Sequence, residues 1–127
     1  MPVKHIQPET LHPTPGYTHV VVGAGLAFIS GQVALDRDRR LVGRGDVEAQ
    51  AVQAFANLEL ALAEVGATLA DVLRLNTYVT NAAFVAPFRT VRDRILPTPQ
   101  PASTLVVVAA LADADWLIEI EAVAALG

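Results

Sequence analysis

The apolar positions of this chain fall into runs whose spacing switches between two residues and helical spacing. Residues 116–124, WLIEIEAVA, alternate. Trp116, Ile118, Ile120, Ala122 and Ala124 share one face, and Leu117, Glu119, Glu121 and Val123 the other, because strand side chains point to opposite sides in turn. Residues 104–111 are almost uniformly apolar and rich in β-branched side chains, the pattern of a strand covered on both faces. A polar turn at residues 112–115 joins these two segments. Residues 17–22 and 26–33 predict another pair of strands, around the Gly23-Ala24-Gly25 turn. Residues 46–65 predict a helix, with Val47, Ala51, Phe55, Leu58, Leu62 and Val65 at helical spacing. Asp46 is placed to cap it, Glu48 suits the positive end of its dipole, and Gly66 supplies a stop. Residues 72–80 return to a strand, with Leu73, Leu75, Thr77 and Val79 on one face and Arg74, Asn76 and Tyr78 on the other. Phe84, Phe88, Val91 and Ile95 then predict a second helix, with Pro87 in its first turn and Pro97, Pro99 and Pro101 forbidding its extension.

The predicted order is β-β-α-β-α-β-β, an α+β fold in which strand–helix–strand units make parallel crossovers. Two helices cover one face of such a sheet. The other face, half apolar and half polar, is left open, which predicts a homo-oligomer that packs open faces together. Residues 1–15, with Pro2, Pro8, Pro13 and Pro15, are expected to form an extended arm. Composition sharpens this picture. The 127 residues are expected to make one domain, and 53% apolar against 17% charged is rich in core and poor in surface. The net charge of −4 argues against a nucleic-acid partner. No apolar signal core or membrane-length run is evident, so a cytoplasmic protein without a membrane partner is expected.

Candidate chemistry is sparse. With no cysteine, thiolate nucleophiles and zinc–thiolate sites are excluded. His5, His12 and His19 are seven residues apart, but the intervening prolines prevent a common helix, and scattered surface histidines are expected rather than a metal site. The Gly23 and Gly25 pair lacks the third glycine and the following helix of a dinucleotide fingerprint. The loop at residues 36–45 carries Arg37, Arg39, Arg40 and Arg44 against Asp36 and Asp38; it is expected to be solvated, with an anion-binding patch as the alternative. Glu119 and Glu121 either meet water or line a polar site.

Taken together, several segments resemble one family. They are Gly16-Tyr17, residues 28–33 (FISGQV), Asp46 with Ala49-Gln50 and Asn57-Leu58, Gly66-Ala67 with Asp71-Val72, Pro101-Ala102, and residues 118–122 (IEIEA). In this order and spacing they resemble the RidA (YjgF) family, also described as L-PSP-type endoribonucleases. The resemblance implies a chorismate-mutase-like α+β fold, a homotrimer with a central barrel, and clefts between subunits that hold a small molecule. It implies hydrolysis of reactive enamines and imines, with no metal or organic cofactor. The water-orienting glutamate maps to Glu119, the cleft tyrosine to Tyr17 and the serine of the SGQ motif to Ser30. The family's carboxylate-binding arginine directly follows Pro-Ala; here Ser103 and then Thr104 follow Pro101-Ala102. Phe88 and Val91 stand on the second helix where active members often carry an asparagine and an aromatic residue.

Three readings follow. The leading one is a trimeric, non-catalytic metabolite-binding or regulatory protein that has lost the deaminase anchor. The alternative is a hydrolytic imine or enamine deaminase for a different small substrate, with Glu119 and Tyr17 catalytic and Ser30, Ser103 and Thr104 binding the ligand. In that case Arg74, Arg89 or Arg92 could supply a displaced positive charge. An endoribonuclease is disfavoured by the negative charge and by the lack of a basic–aromatic stripe and a catalytic histidine pair. A catalytic Glu119 is expected to have a raised pKa. Against these roles, Tyr17 could simply pack the arm, Ser30 could satisfy a backbone group, and Glu121 could serve the interface. Gln50 and Asn57 are expected to tie the first helix to loops.

Overall fold

The computed structural model describes residues 2–127 and contains one six-stranded mixed sheet with two helices on one face. The strands are β1 (Lys4–Ile6), β2 (Val20–Gly23), β3 (Leu26–Gln32), β4 (Val72–Val79), β5 (Ala102–Val107) and β6 (Ile118–Ala125). The helices are α1 (Val47–Ala63), between β3 and β4, and α2 (Val85–Ile95), between β4 and β5. In space the strands run β1-β2-β3-β6-β4-β5, with every neighbouring pair antiparallel except β4 and β5. Among the described residues, no helix is long and apolar enough to cross a membrane.

The helix α1 follows from its sequence at every turn. The Asp46 carboxylate accepts from the Ala49 N–H at 3.1 Å, satisfying one orphan donor of the first turn. At the other end the Ala67 N–H donates to the Leu62 carbonyl and the Gly66 N–H to the Ala63 carbonyl. Gly66 sits at φ +73, a left-handed conformation that a Cβ would strain. The stripe Val47, Ala51, Phe55, Leu58 and Leu62 is buried against Ile29, Ile120, Ala122 and Ala124 of the sheet, in one core. Phe55 stacks on Phe88 of α2, with centroids 6.1 Å apart and planes 8° from parallel, joining the two helices. Alternation on β6 divides the molecule: Ile118, Ile120, Ala122 and Ala124 face the core, while Glu119, Glu121 and Val123 lie on the open face.

Five sequence expectations are corrected. Residues 104–111 and 116–124 are not a linked pair: β5 stops at Val107, and β6 lies on the far side of β4, between β4 and β3. The crossover through α2 lays β5 parallel to β4 at the sheet edge, and the last strand fills the slot left between β3 and β4. Consequently β5 is not covered on both faces; Val106 and Val107 are exposed. The arm contributes a strand of its own, β1, paired with β2 from Lys4↔Val22 to Ile6↔Val20. The strand expected from Tyr17 begins at Val20, because residues 14–19 are folded into a hydrogen-bonded turn instead. A register shift between Val72 and Arg74 turns Leu73 out of the core face and leaves it exposed. The hairpin of β2 and β3 forms as expected, with Ala24 and Gly25 both at positive φ, the pattern of a type I′ turn.

Candidate functional site

The open end of β6 meets the arm and two loops around a cleft of about 520 Å³. Tyr17, Ser30, Gly31, Arg39, Trp116, Glu119 and Glu121 line it, with His12 and Pro15 at the arm side. Glu119 is positioned by an irregularity in the sheet. The β3–β6 register shifts between Ile29 and Gln32, and Gly31 lies under the Glu119 carboxylate. A Cβ on Gly31 would stand 2.3 Å from Glu119 Oε2, so only glycine leaves that side chain its place. Glu119 is partly buried, and no hydrogen bond to its carboxylate is found among the described residues. Burial, helped by the neighbouring Glu121 charge, raises its pKa above the usual carboxyl value. Glu121 is different. It accepts from the Tyr78 hydroxyl across the β4–β6 pair, and that bond holds the tyrosine's pKa up.

Tyr17 is placed by a network that sequence reasoning missed. The Gln7 carboxamide donates to Thr14 Oγ1 at 2.7 Å and to the Tyr17 carbonyl at 2.9 Å, and accepts from the His19 N–H at 2.9 Å. The Thr14 hydroxyl also donates to the Tyr17 carbonyl, at 2.6 Å. Burial raises the pKa of the Tyr17 hydroxyl, the Arg39 charge opposes that, and the Glu119 charge adds to it, so the hydroxyl remains a neutral donor. Ser30 lines the cleft, but its hydroxyl donates to the Thr18 carbonyl at 2.6 Å.

Two of the three histidines are buried, contrary to the surface placement expected. His12 is 3% exposed and His19 1% exposed, with rings 4.9 Å apart edge to face; only His5 is on the surface. His19 Nε2 lies 2.8 Å from the His12 carbonyl, and Gln32 Nε2 lies 3.1 Å from His19 Nδ1 and 3.0 Å from the Ser30 carbonyl. These contacts fix the tautomer: Nε2 donates and Nδ1 accepts. The chain from His12 through Gln32 to Ser30 thus ties the arm to the irregular turn beneath Glu119. Nothing in the spacing of these residues marked them as a network, because the contacts join the arm to β3.

Gln50 and Asn57 tie the first helix to loops. Gln50 is fully buried, donates to the Gly43 and Asp115 carbonyls at 3.1 Å each, and accepts from the Leu117 N–H at 2.9 Å. Asn57 donates to the Val33 and Leu35 carbonyls. Gln50 thereby holds the segment that carries Trp116 against the cleft.

The structure brings Tyr17, Ser30 and Glu119 together and leaves Ser103 and Thr104 elsewhere in the chain. Ser103 is paired with Leu75 on the helix side of β5, in a separate cleft of about 240 Å³ with Arg92, Leu96, Gln100 and Pro101. Thr104 is on the open face, two strands and so about 10 Å from Glu121. Its hydroxyl accepts from Arg74. Arg74 itself is four register positions from the Tyr78–Glu119 pair, about 13 Å along the strand. Arg89 and Arg92 are carried by α2, on the opposite side of the sheet, and Arg92 pairs with Asp93 at 2.9 Å. The arginine that does line the Glu119 cleft is Arg39.

Comparison with known proteins agrees with this architecture. The family model described as Endoribonuclease L-PSP matches residues 8–126. A RutC family protein of Pyrococcus abyssi is 29% identical over 112 residues, covering 88% of this chain and 87% of that protein. The protein named 2-iminobutanoate/2-iminopropanoate deaminase of Dermatophagoides farinae is 27% identical over 113 residues, covering 87% and 88%. Among solved structures, RidA from an Antarctic Psychrobacter superposes with a TM-score of 0.90 at 30% identity, over 97% of this chain and 99% of that one. The chain belongs to the RidA (YjgF, endoribonuclease L-PSP) family.

Proposed function

We propose that this chain is a hydrolytic deaminase of small imines or enamines, with Glu119 as the group that handles water. The observation that carries the reading is the Glu119 carboxyl, partly buried over Gly31, raised in pKa, and without a hydrogen-bond donor of its own among the described residues. A carboxyl in that condition holds a proton more readily than an ordinary glutamate and can both accept and return one. Glu119 takes a proton from water as the oxygen adds to the C=N carbon. The C=N nitrogen enters protonated, so this addition leaves a neutral carbinolamine. Glu119 then returns its proton to that nitrogen, and the C–N bond breaks as the new hydroxyl loses its proton to solvent, giving a carbonyl compound and ammonia. The Tyr17 hydroxyl, kept neutral, donates to the substrate. A relative named as an imino-acid deaminase fits this chemistry.

The domain spanning residues 1–127 would act as a homotrimer. Its open face, with Phe28, Val106 and Tyr17 exposed, supports burial against other copies. A second reading, a binder without turnover, is favoured by one observation: Ser103 follows Pro101-Ala102, and neither it nor Thr104 reaches the Glu119 cleft within the chain. An endoribonuclease is the weakest reading, since two glutamates line the cleft and the net charge is −4, which repel a phosphodiester backbone.

The test is semicarbazide trapping of enzymatically generated 2-iminobutanoate. Wild type at catalytic concentration lowers the trapped imine, and Glu119→Gln reduces the rate by about 100-fold or more. Wild-type silence, or a Glu119→Gln variant as fast as wild type, overturns the hydrolytic reading.

A further inference from the structure

The loop at residues 36–40 is more ordered than a solvated connection needs to be. Asp36 Oδ1 accepts from the N–H groups of Asp38 and Arg40, each at 2.9 Å. The Asp36 N–H donates to the Arg40 carbonyl at 2.9 Å, and the Arg39 N–H to the Asp36 carbonyl at 3.0 Å. This closed turn holds Arg39 at φ +61, a left-handed conformation uncommon for a side chain of that size. The side chain is directed back over the arm, where Nη1 donates to the Pro13 carbonyl at 2.9 Å.

Two cations of this segment are already neutralised locally. Arg40 pairs with Asp36 and Asp38, and Arg44 with Asp115. Arg39 makes no ion pair among the described residues, although its carbonyl partner engages only one of the five guanidinium donors. It shares the cleft with Glu119 and Glu121 without neutralising either. Tyr17 is influenced by Arg39 on one side and by Glu119 on the other, whereas Glu119 responds only to burial and to Glu121. Arg39, Tyr17 and Glu119 line one cleft, the guanidinium held on the arm by the Pro13 carbonyl and the carboxylate seated over Gly31.

We propose that Arg39 is the anion anchor of the Glu119 cleft, so that the chain holds the carboxylate of its ligand from its own 36–40 loop. The ligand class is a small 2-imino or 2-oxo carboxylate. Its carboxylate sits on the free edge of the Arg39 guanidinium, which is planar and suited to a two-pronged contact. Its C=N or C=O carbon is then directed toward Glu119. The anchor deepens the deaminase reading, which it uses for the choice of ligand, yet it concerns binding and stands or falls separately from turnover.

The experiment is calorimetric titration with 2-oxobutanoate, the product of 2-iminobutanoate hydrolysis, and with neutral 2-butanone as a control. Wild type binds 2-oxobutanoate, more weakly as salt is raised, and favours it over 2-butanone. Arg39→Gln loses at least tenfold in affinity for 2-oxobutanoate, with no change toward 2-butanone and an unchanged melting temperature. Arg39→Lys, which keeps the charge but not the planar fork, recovers part of the loss. Glutamine is the informative replacement, because it leaves the backbone requirement at φ +61 no worse than before. Equal affinity of Arg39→Gln and wild type, or no binding of 2-oxobutanoate by wild type at millimolar concentration, overturns the anchor. Binding that depends on Arg39 without imine consumption overturns the deaminase reading and leaves the anchor standing.

Discussion

Gly31 and Glu119 act as one unit, since the missing side chain of the first is the space occupied by the second. Gly31→Ala places a methyl group where the carboxylate now lies, and the neighbouring atoms that must yield all belong to the flexible Glu119 side chain. The expected outcome is a loss of turnover of about tenfold or more, read as a fall in kcat, with little change in urea midpoint. Glu119→Gln gives a second outcome. Because the folded pKa of Glu119 is raised, its ionisation penalises the native state as pH climbs above the ordinary value of 4.5. The glutamine variant is therefore more stable than wild type at pH 7 and equal to it at pH 4, by thermal melting. The gain stays below about 1 kcal/mol, since solvent screens a partly exposed group. His19 works in the opposite direction. Burial lowers its pKa from 6.5, so the unfolded chain takes up a proton that the folded chain refuses, and stability falls as pH drops below 6.5. His19→Gln removes that acid sensitivity. Of the residues lining the candidate cleft, Glu119, Tyr17 and Ser30 were marked in the sequence by the family resemblance. Gln7, Thr14, His12, His19 and Gln32 were not, because each acts through a contact that closes only when the arm folds onto the sheet.

The elements differ in how much they announce themselves. Helix α1 carries its stripe, cap and stop within one stretch of chain, and the sequence placed it within two residues at either end. The β2–β3 hairpin was equally local. Strand β1 has only three residues and no alternation long enough to detect, and the place of β6 between β3 and β4 depends on pairings with segments far away in sequence. Gln50 shows how such distant pieces are joined. Replacing it with alanine removes the partner it offers to the Gly43 and Asp115 carbonyls and leaves the half-buried Leu117 N–H without its acceptor. Gln50→Ala is expected to destabilise the protein by about 1–3 kcal/mol in urea denaturation. Amide exchange should quicken most at residues 108–117.

For the whole molecule, the sheet has one face sealed by helices and one that ends in Phe28, Glu121, Tyr78 and Val106. Phe28 is 48% exposed and is flanked in register by Val21 and Val123. A trimer built on this face predicts that Phe28→Glu lowers the sedimenting mass to that of one chain while leaving helix content intact by circular dichroism. A mass unchanged by that substitution would remove the face from the interface. Strand β5 brings a different consequence. It is hydrogen-bonded to β4 on one side only, and its Thr104-Leu105-Val106-Val107 stretch runs on into further apolar residues. An unprotected edge of that composition is a template on which other chains can add strands without limit. Separated protomers should therefore precipitate as β-rich fibres, and a single lysine at Val106 should keep them in solution.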